Sequence, residues 1–369
     1  MKKLVFFSTV ASPHQIRFVP HLQKYFDTHF LFYEEASGKN AFWRIPLGDR
    51  CSIFSCKFKW HGKYLTLAPF RHLRELNPDI VMLGGMSVPT NYLIYLWARW
   101  HGRKTVIQTE RSRDKNGKLR GYGLGWRFLH FLYRNVDCVA CISDDTVAQF
   151  RDTFRFGAKV VAVPYPCDTD RYYNHPVRGV KEAYTLIFAN RMTDIYDPLM
   201  GIDIFYEVLK RHPRTRLKIN AAGELRPQVE ARIAKYGIGK SIEFLDHLKT
   251  WDDLDDVYRT SDIMYLPAKW SNGNNTISET MCSGMAIVIS DKIMGGWCEM
   301  FRRTGGGFVC PHDTSAFVEK ICWIIEHPEF FARIAPINRE NRRPYTMAAK
   351  AIMYRDAFEK LFDNGEKAK

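Results

Sequence analysis

Read from its start, the chain alternates short apolar runs with stretches whose apolar positions return every three or four residues. K-L-V-F-F is the first run, and a helical pattern follows from His14 to Lys24. H-F-L-F-Y comes next. The charged helix F-R-H-L-R-E-L-N leads into D-I-V-M-L, and an apolar helix around Tyr92 to Trp100 leads into K-T-V-I-Q-T. A helix from Leu124 to Arg134, then D-C-V-A-C-I-S and K-V-V-A-V-P, complete this half. Continuous apolar strands separated by helices predict a parallel sheet covered on both faces.

The pattern then restarts. The strands T-L-I-F-A, R-L-K-I-N-A-A, S-I-E-F-L, I-M-Y-L-P, A-I-V-I-S and G-F-V-C are separated by helical stretches at Gly201–Lys210, Gln228–Lys235, Trp251–Arg259 and Thr276–Ser283. Ser315–Glu326 and roughly Thr346–Phe362 are also helical. The expected fold class is α/β, with two doubly wound, Rossmann-like domains over 1–172 and 180–344 and a closing helical segment at 345–369. The polar stretch D-R-Y-Y-N-H-P-V-R-G at 170–179 marks the boundary. Two such sheets on one linker predict a central cleft faced by their strand C-termini, where ligands bind in sheets of this type.

The 369 residues suit two domains, and 46% hydrophobic with 25% charged residues is a globular composition. The net charge of +14 sharpens the picture, because it is unevenly spread. Residues 1–175 hold 26 Lys and Arg against 14 Asp and Glu, a net +12, which leaves +2 for the remainder. The basic half implies an anionic partner. Of nine cysteines, only Cys138 and Cys141 form a C-x-x-C pair, and they sit in an apolar strand with no second pair or histidine pair nearby. That pattern reads as reduced, buried thiols rather than a metal site. The lysines and short apolar run of M-K-K-L-V-F-F-S-T-V-A-S-P superficially match a secretion signal, but the same run recurs along the chain, so a first buried strand is expected. No stretch reaches the ~20 apolar residues of a membrane span. The first strand–helix loop, S-T-V-A-S-P-H-Q, lacks G-x-G-x-x-G, which removes the main support for dinucleotide redox chemistry.

The candidate chemistry lies at strand ends. A-N-R places Arg191 after one strand and K-I-N-A-A-G-E places Gly223 after another. S-N-G-N-N-T-I-S-E, residues 271–279, follows a third. It is almost bare of apolar bulk and ends in Glu279. Locally it reads as a turn and capping box, with Thr276 as the cap and Glu279 reaching back to its amide.

The order and spacing of these features, with S-I-E-F-L-D-H-L, T-S-D-I-M-Y-L-P-A and the Gly295–Gly296 turn before Glu299, resemble the C-terminal domain of glycosyltransferase family 4. Its members are retaining enzymes of the GT-B architecture. C-I-S-D at 141–144 and V-P-Y-P-C-D-T-D-R-Y at 163–172 are similar to the segments that close the family's N-terminal domain. The resemblance implies transfer of a sugar from a UDP- or GDP-linked donor to a glycan or lipid-linked acceptor in polysaccharide or glycolipid assembly. It also implies that the last helix crosses back to the first domain. The donor is a substrate, so no cofactor and no metal are expected.

The residue types fit that chemistry. A leaving diphosphate needs neutralisation, which Arg191 can supply as a planar cationic fork. It also needs backbone donors, which small residues at a helix N-terminus allow. Glu279 can accept the ribose hydroxyls. The donor-side candidates are therefore Arg191, Gly223, Lys269, Ser271, Asn272, Gly273, Asn274, Asn275, Thr276 and Glu279. The acceptor-side candidates, from the basic half, are His14, Arg17, Arg111 and Arg113, with Glu110 grouped with Arg191 and Glu279 as catalytic.

The sequence departs from the family at several points. The family carries two glutamates separated by seven residues. Glu279 matches the second, and Ser271 occupies the first. The family's lysine some six residues after the arginine falls on Asp197, or on Met200 when Gly201 is aligned, and Lys269 is the candidate substitute. His14 and Arg17 lie where many members have a glycine pair, and Thr109, Glu110 and Arg111 where many have a histidine.

Aromatic and basic residues interleave in C-K-F-K-W-H-G-K-Y, L-W-A-R-W-H-G-R-K and G-W-R-F-L-H-F-L-Y-R-N, which suits an anionic lipid surface. The last of these is apolar almost all round, from Trp126 to Tyr133, so much of it is expected in the core. The expected location is the cytoplasm, extending to the inner face of the membrane. No nucleic-acid motif is present, and nucleic acid is not an expected partner. Two rival functions remain: a non-catalytic sugar- or nucleotide-binding module, and a sugar-nucleotide epimerase.

Overall fold

The computed structural model describes residues 1–36, 42–54, 56, 58–60, 63–114, 117–271 and 275–363. Two compact units are present. The first comprises Met1–Gly38, Trp43–Asp168 and Met347–Lys369, and the second is built on Thr169–Thr346.

The first unit runs β1 (Lys3–Ala11), α1 (Pro13–Leu22), β2 (Asp27–Glu35), β3 (Cys51–Ile53), β4 (Phe58–Trp60), β5 (Lys63–Leu65), α2 (Pro69–Leu76), β6 (Ile80–Gly84), α3 (Pro89–Trp100), β7 (Lys104–Thr109), α4 (Leu124–Tyr133), β8 (Cys138–Cys141), α5 (Asp144–Ala148) and β9 (Val160–Ala162). Its main sheet is parallel, in the order β3-β2-β1-β6-β7-β8-β9, and β4 and β5 form a separate antiparallel hairpin. The second unit runs β10 (Thr185–Phe188), α6 (Pro198–Arg211), β11 (Arg216–Ile219), α7 (Arg226–Tyr236), β12 (Ile242–Phe244), α8 (Leu254–Arg259), β13 (Ile263–Leu266), α9 (Asn275–Cys282), β14 (Ala286–Ser290), α10 (Trp297–Thr304), β15 (Phe308–Cys310), α11 (Thr314–Glu326) and α12 (Glu329–Arg342). Its parallel sheet has the order β12-β11-β10-β13-β14-β15. Both sheets are doubly wound. The closing helix α13 (Met347–Asp363) belongs to the first unit.

Strand β1 shows why such runs are apolar throughout. Its register sets Phe6 beside Phe30 of β2 and Met82 of β6. Leu4 and Phe6 enter one buried cluster, and Val5 and Phe7 enter another. Alternate side chains serve opposite faces, so the covered middle of the strand, Leu4–Phe7, has no polar positions. Helix α13 supplies part of one cover. Met347, Ala351, Tyr354 and Phe358, spaced by four, three and four, form its buried stripe. Tyr354 packs on Phe18 at 5.1 Å between rings, and its hydroxyl accepts from Gln108 at 2.6 Å.

Strand β3, the β4–β5 hairpin, α5, α10 and α12 escape the hydrophobic pattern, the last because its buried and charged positions are closely mixed. Cys138 and Cys141 are buried on β8, and burial pushes the Cys138 thiol up to about 12. All nine cysteines are free thiols. Among the described residues no helix is long and apolar enough to cross a membrane.

The polar stretch at 170–179 is not an exposed connection. The units divide at Asp168–Thr169, and Tyr172, His175 and Arg178 are buried in the second unit. Arg178 is 5% exposed and collects backbone oxygens. Its guanidinium donates to the carbonyls of Tyr258 and Ser283, to Ser261 O at 3.0 Å and to Ser283 Oγ at 2.9 Å. Those carbonyls lie at the C-terminal ends of α8 and α9, where helices leave acceptors unsatisfied and the dipole favours a cation. Burial pulls the Arg178 pKa down to about 10, so it stays charged at neutral pH. His175 lies 2.9 Å from Ser283 Oγ and 3.1 Å from Asp255, an arrangement with the outline of a hydrolase triad. It is structural, because Ser283 is fully buried and also bonds Arg178 and Tyr258 O.

Arg178→Ala leaves several buried carbonyls unanswered. It is expected to destabilise the second unit by roughly 3–5 kcal/mol in urea unfolding, with Arg178→Lys losing about half as much.

Candidate functional site

The strand order of the second unit reverses between β10 and β13. Loops leaving two such strands turn to opposite faces and open a crevice at the sheet's C-terminal edge. Arg191 follows β10 at that place. It is half-buried, and its side chain makes no hydrogen bond or ion pair with the described residues. The acids nearest in sequence are engaged elsewhere. Asp194 holds Lys269 Nζ at 2.6 Å. Asp197 caps α6 through Met200 N at 3.2 Å and lies 3.2 Å from His312 Nε2.

The loop bearing Arg191 is fixed by the loop after β11. Met192 N donates to Ala222 O at 2.7 Å, Leu225 N donates to Met192 O at 2.9 Å, and Asn220 Nδ2 donates to Ala189 O at 3.0 Å. Gly223 sits at the crossing with φ +141°, and a Cβ there would lie 2.2 Å from Met192 O. Only glycine permits both the conformation and the approach. Gly223, expected to touch the donor, also fixes the Arg191 loop through packing.

After β13 the chain reaches Lys269, whose backbone N donates to Ile195 O at 2.8 Å. The Lys269 ammonium thus stands over the Arg191 loop, and its bond to Asp194 raises its pKa. Ser271 is buried and bridges Ile293, with Met294 N donating to Ser271 O at 3.0 Å. Asn272, Gly273 and Asn274 lie outside the described residues. Helix α9 opens at Asn275, so Thr276 is inside the helix, and the capping box expected of Thr276 and Glu279 is not formed. Glu279 is 3% exposed, and its Oε2 accepts from Tyr258 Oη at 2.9 Å. Arg191, Lys269, Ser271, Asn275, Thr276 and Glu279 therefore all follow the two strands that flank the reversal.

In the first unit the acceptor-side candidates fall into two groups, with β6 between their strands. His14 and Arg17 lie on α1, after β1. His14 is buried, its Nδ1 accepts from Asp168 N at 3.0 Å, and Arg17 Nε lies 3.5 Å from Asp168 Oδ2. Glu110, Arg111 and Arg113 follow β7. Arg111 lies 3.5 Å from Asp145, and Arg113 donates to Gly117 O. Gln149 clasps this loop by bonding Ser112 N at 2.8 Å, Ser112 O at 3.0 Å and Arg120 O at 3.1 Å. Burial, then the neighbouring Arg111 charge, lowers the Arg113 pKa, and Glu110 is exposed.

Sequence reading did not find Tyr258, Asp168 or Gln149. Asp168 lies inside V-P-Y-P-C-D-T-D, so its signal was available. Tyr258 and Gln149 look like ordinary helical residues, and their partners are 21 and 37 positions away.

Comparison with known proteins matches both parts of the chain. Residues 175–341 match the family model "Glycosyl transferases group 1", and residues 34–166 match "Glycosyl transferase 4-like domain". Mannosylfructose-phosphate synthase of Agrobacterium fabrum is 23% identical over 239 residues, 61% of this chain. The match spans only 46% of that relative's length. Among solved structures, HepE of Anabaena in complex with UDP and glucose has a TM-score of 0.73 at 13% identity, covering 97% of this chain and all of that one. Sucrose-phosphate synthase of Thermosynechococcus elongatus has a TM-score of 0.70 at 13% identity, covering 99% and 100%. A glycosyltransferase of Rickettsia africae has a TM-score of 0.70 at 14% identity, with the same coverage. These structures share the fold.

Gly223→Ala is expected to destabilise the second unit by roughly 2–4 kcal/mol, from a strained backbone and a backbone clash together. Thermal unfolding reads the loss; an unchanged midpoint would show that the two loops can separate freely.

Proposed function

The chain belongs to the GT-B glycosyltransferases, and on that premise we propose that it is a retaining enzyme. In this reading it moves a sugar from a UDP- or GDP-linked donor to a glycan or lipid-linked acceptor in polysaccharide or glycolipid assembly. The donor binds the second unit and the acceptor binds the basic first unit. The observation that carries the reading is Arg191, half-buried at the strand-order reversal with its guanidinium unclaimed by described residues. A cation held there without a partner among the described residues suits a diphosphate.

The bond from the sugar's anomeric carbon to the phosphate oxygen breaks, and its electron pair stays on the diphosphate. Arg191 stabilises that charge, with Lys269 as a second cation shared with Asp194. The acceptor hydroxyl attacks from the face that the diphosphate leaves. Its proton passes to the departing phosphate oxygen, so no enzyme base and no metal are needed. Glu279, oriented by Tyr258, accepts the ribose hydroxyls. Ser271 stands where the resembling family has a carboxylate, and it offers the donor sugar a neutral contact instead. Arg111 and Arg113 suit an anionic acceptor, and Glu110 stands beside them in sequence.

Calorimetry with UDP and GDP, followed by a donor panel with anomeric analysis of the product, tests this reading. Tight nucleotide binding with no turnover on any donor would instead identify a binding module. Release of a sugar inverted at C2 would identify an epimerase.

Arg191→Ala is expected to lower kcat/KM at least about 100-fold, the ~3 kcal/mol of a lost transition-state donor. Its unfolding midpoint should stay close to wild type, since no described partner is lost. Glu279→Ala is expected to weaken nucleotide binding by about 1–3 kcal/mol. Tyr258→Phe should give a smaller loss in the same assay. Wild-type nucleotide affinity in both variants would remove the ribose role.

A further inference from the structure

Helix α4 is not the core helix that its composition suggests. One stripe, Trp126, Leu129, Leu132 and Tyr133, packs inward, with Trp126 stacked on Phe154 at 3.8 Å between rings. The opposite stripe is apolar as well. Leu124 is 83% exposed, Phe128 60% and Phe131 59%. Their spacing of four and three puts them on one face of the helix. Helix α3 packs against α4 through Tyr95 and Tyr133, 5.0 Å between rings, and its own C-terminal half exposes Leu96 and Trp100, the latter at 88%. Water-exposed aromatic and leucine side chains in such a row call for a partner.

The charges around this face select the partner. Residues 111–136 carry seven Lys and Arg and one acid, Asp114. Asp114 is occupied in a turn, where its Oδ1 accepts from Lys118 N at 2.9 Å. Arg120, Arg127 and Arg134 are exposed, and Arg134 lies over the Phe131 ring at 4.7 Å from its centroid. A shallow hollow of about 390 Å³ opens just before α4, lined by Arg120, Tyr122, Leu124 and Trp126, so a cation stands at an apolar rim. Phe and Leu on the outward face with Arg127 and Arg134 along one flank match the two layers of a bilayer interface, acyl chains below and anionic phosphates above.

We propose that the outer face of α4, extended by Leu96 and Trp100 of α3, is a docking surface for anionic phospholipid bilayers. The helix lies in the plane of the interface, with Leu124, Phe128 and Phe131 inserted and Arg127 and Arg134 at the level of the phosphates. The proposal rests on this surface alone and does not depend on the transfer reaction.

Co-sedimentation of the full chain with vesicles tests it. At 0.1 M salt, the protein should bind vesicles of phosphatidylcholine with 30% phosphatidylglycerol at least 10-fold more tightly than pure phosphatidylcholine, and 1 M salt should remove most of the difference. The Leu124→Ser, Phe128→Ser, Phe131→Ser triple variant should lose at least 10-fold in binding to the anionic vesicles. Arg127→Gln with Arg134→Gln should lose about fivefold per charge on the anionic vesicles alone. All the substituted side chains are exposed, so both variants should unfold at the wild-type midpoint. No binding of the wild type to anionic vesicles, or wild-type binding by both variants, would overturn the proposal. So would sedimentation velocity showing a wild-type dimer that the serine variant dissolves, since the face would then serve a second copy of the chain.

Discussion

The second unit depends on how the ends of two short helices are satisfied. Helices α8 and α9 stop with carbonyls pointing at one buried spot, and neither has a helical donor left for them. Arg178 answers both from a segment that precedes every strand of this unit. The ends of α8 and α9 are thereby held together, and α8 carries Tyr258 while α9 carries Glu279. The Tyr258–Glu279 bond of 2.9 Å is thus set by a guanidinium that touches neither side-chain oxygen. A buried carboxylate needs a donor, and the donor needs a fixed helix.

The same reasoning applies to Arg191. No described residue bonds its side chain, so among these residues its position comes from its backbone. That backbone is pinned to the loop after β11 by three hydrogen bonds and by the close approach at Gly223. A cation that must meet a ligand cannot also be anchored through its charge, and here the anchoring passes to the main chain. Lys269 represents the other solution. Its ammonium is bonded to Asp194, so it is held in place at the cost of part of its field.

The first unit carries most of the net charge, and the structure divides that charge among different tasks. Arg17 and Arg111 approach carboxylates, and Arg113 bonds a turn. Arg127 and Arg134 lie outside, beside exposed aromatics. A net charge read from composition does not distinguish these uses, because the distinction depends on which neighbour lies across the gap.

Hydrophobic periodicity determined the larger plan. Strands apolar on both faces require two covered parallel sheets, and the restart of the pattern after residue 180 marks a second one. The strand-end placement of Arg191, Gly223 and Glu279 follows from the same pattern. Local sequence could not supply the pairings. Thr276 and Glu279 have the spacing of a capping box, but the helix begins one residue earlier and the carboxylate turns to Tyr258. Residues 170–179 look like a linker because they are polar, yet Arg178 is polar and buried, its cost offset by carbonyls some 80 and 105 residues away. Helix α4 looks like core because it is apolar all round, and only the packing decides which side faces water. Periodicity records what each residue prefers as a solvent. Which groups satisfy one another across the fold is decided by tertiary contacts, and the candidate site consists almost wholly of such pairings.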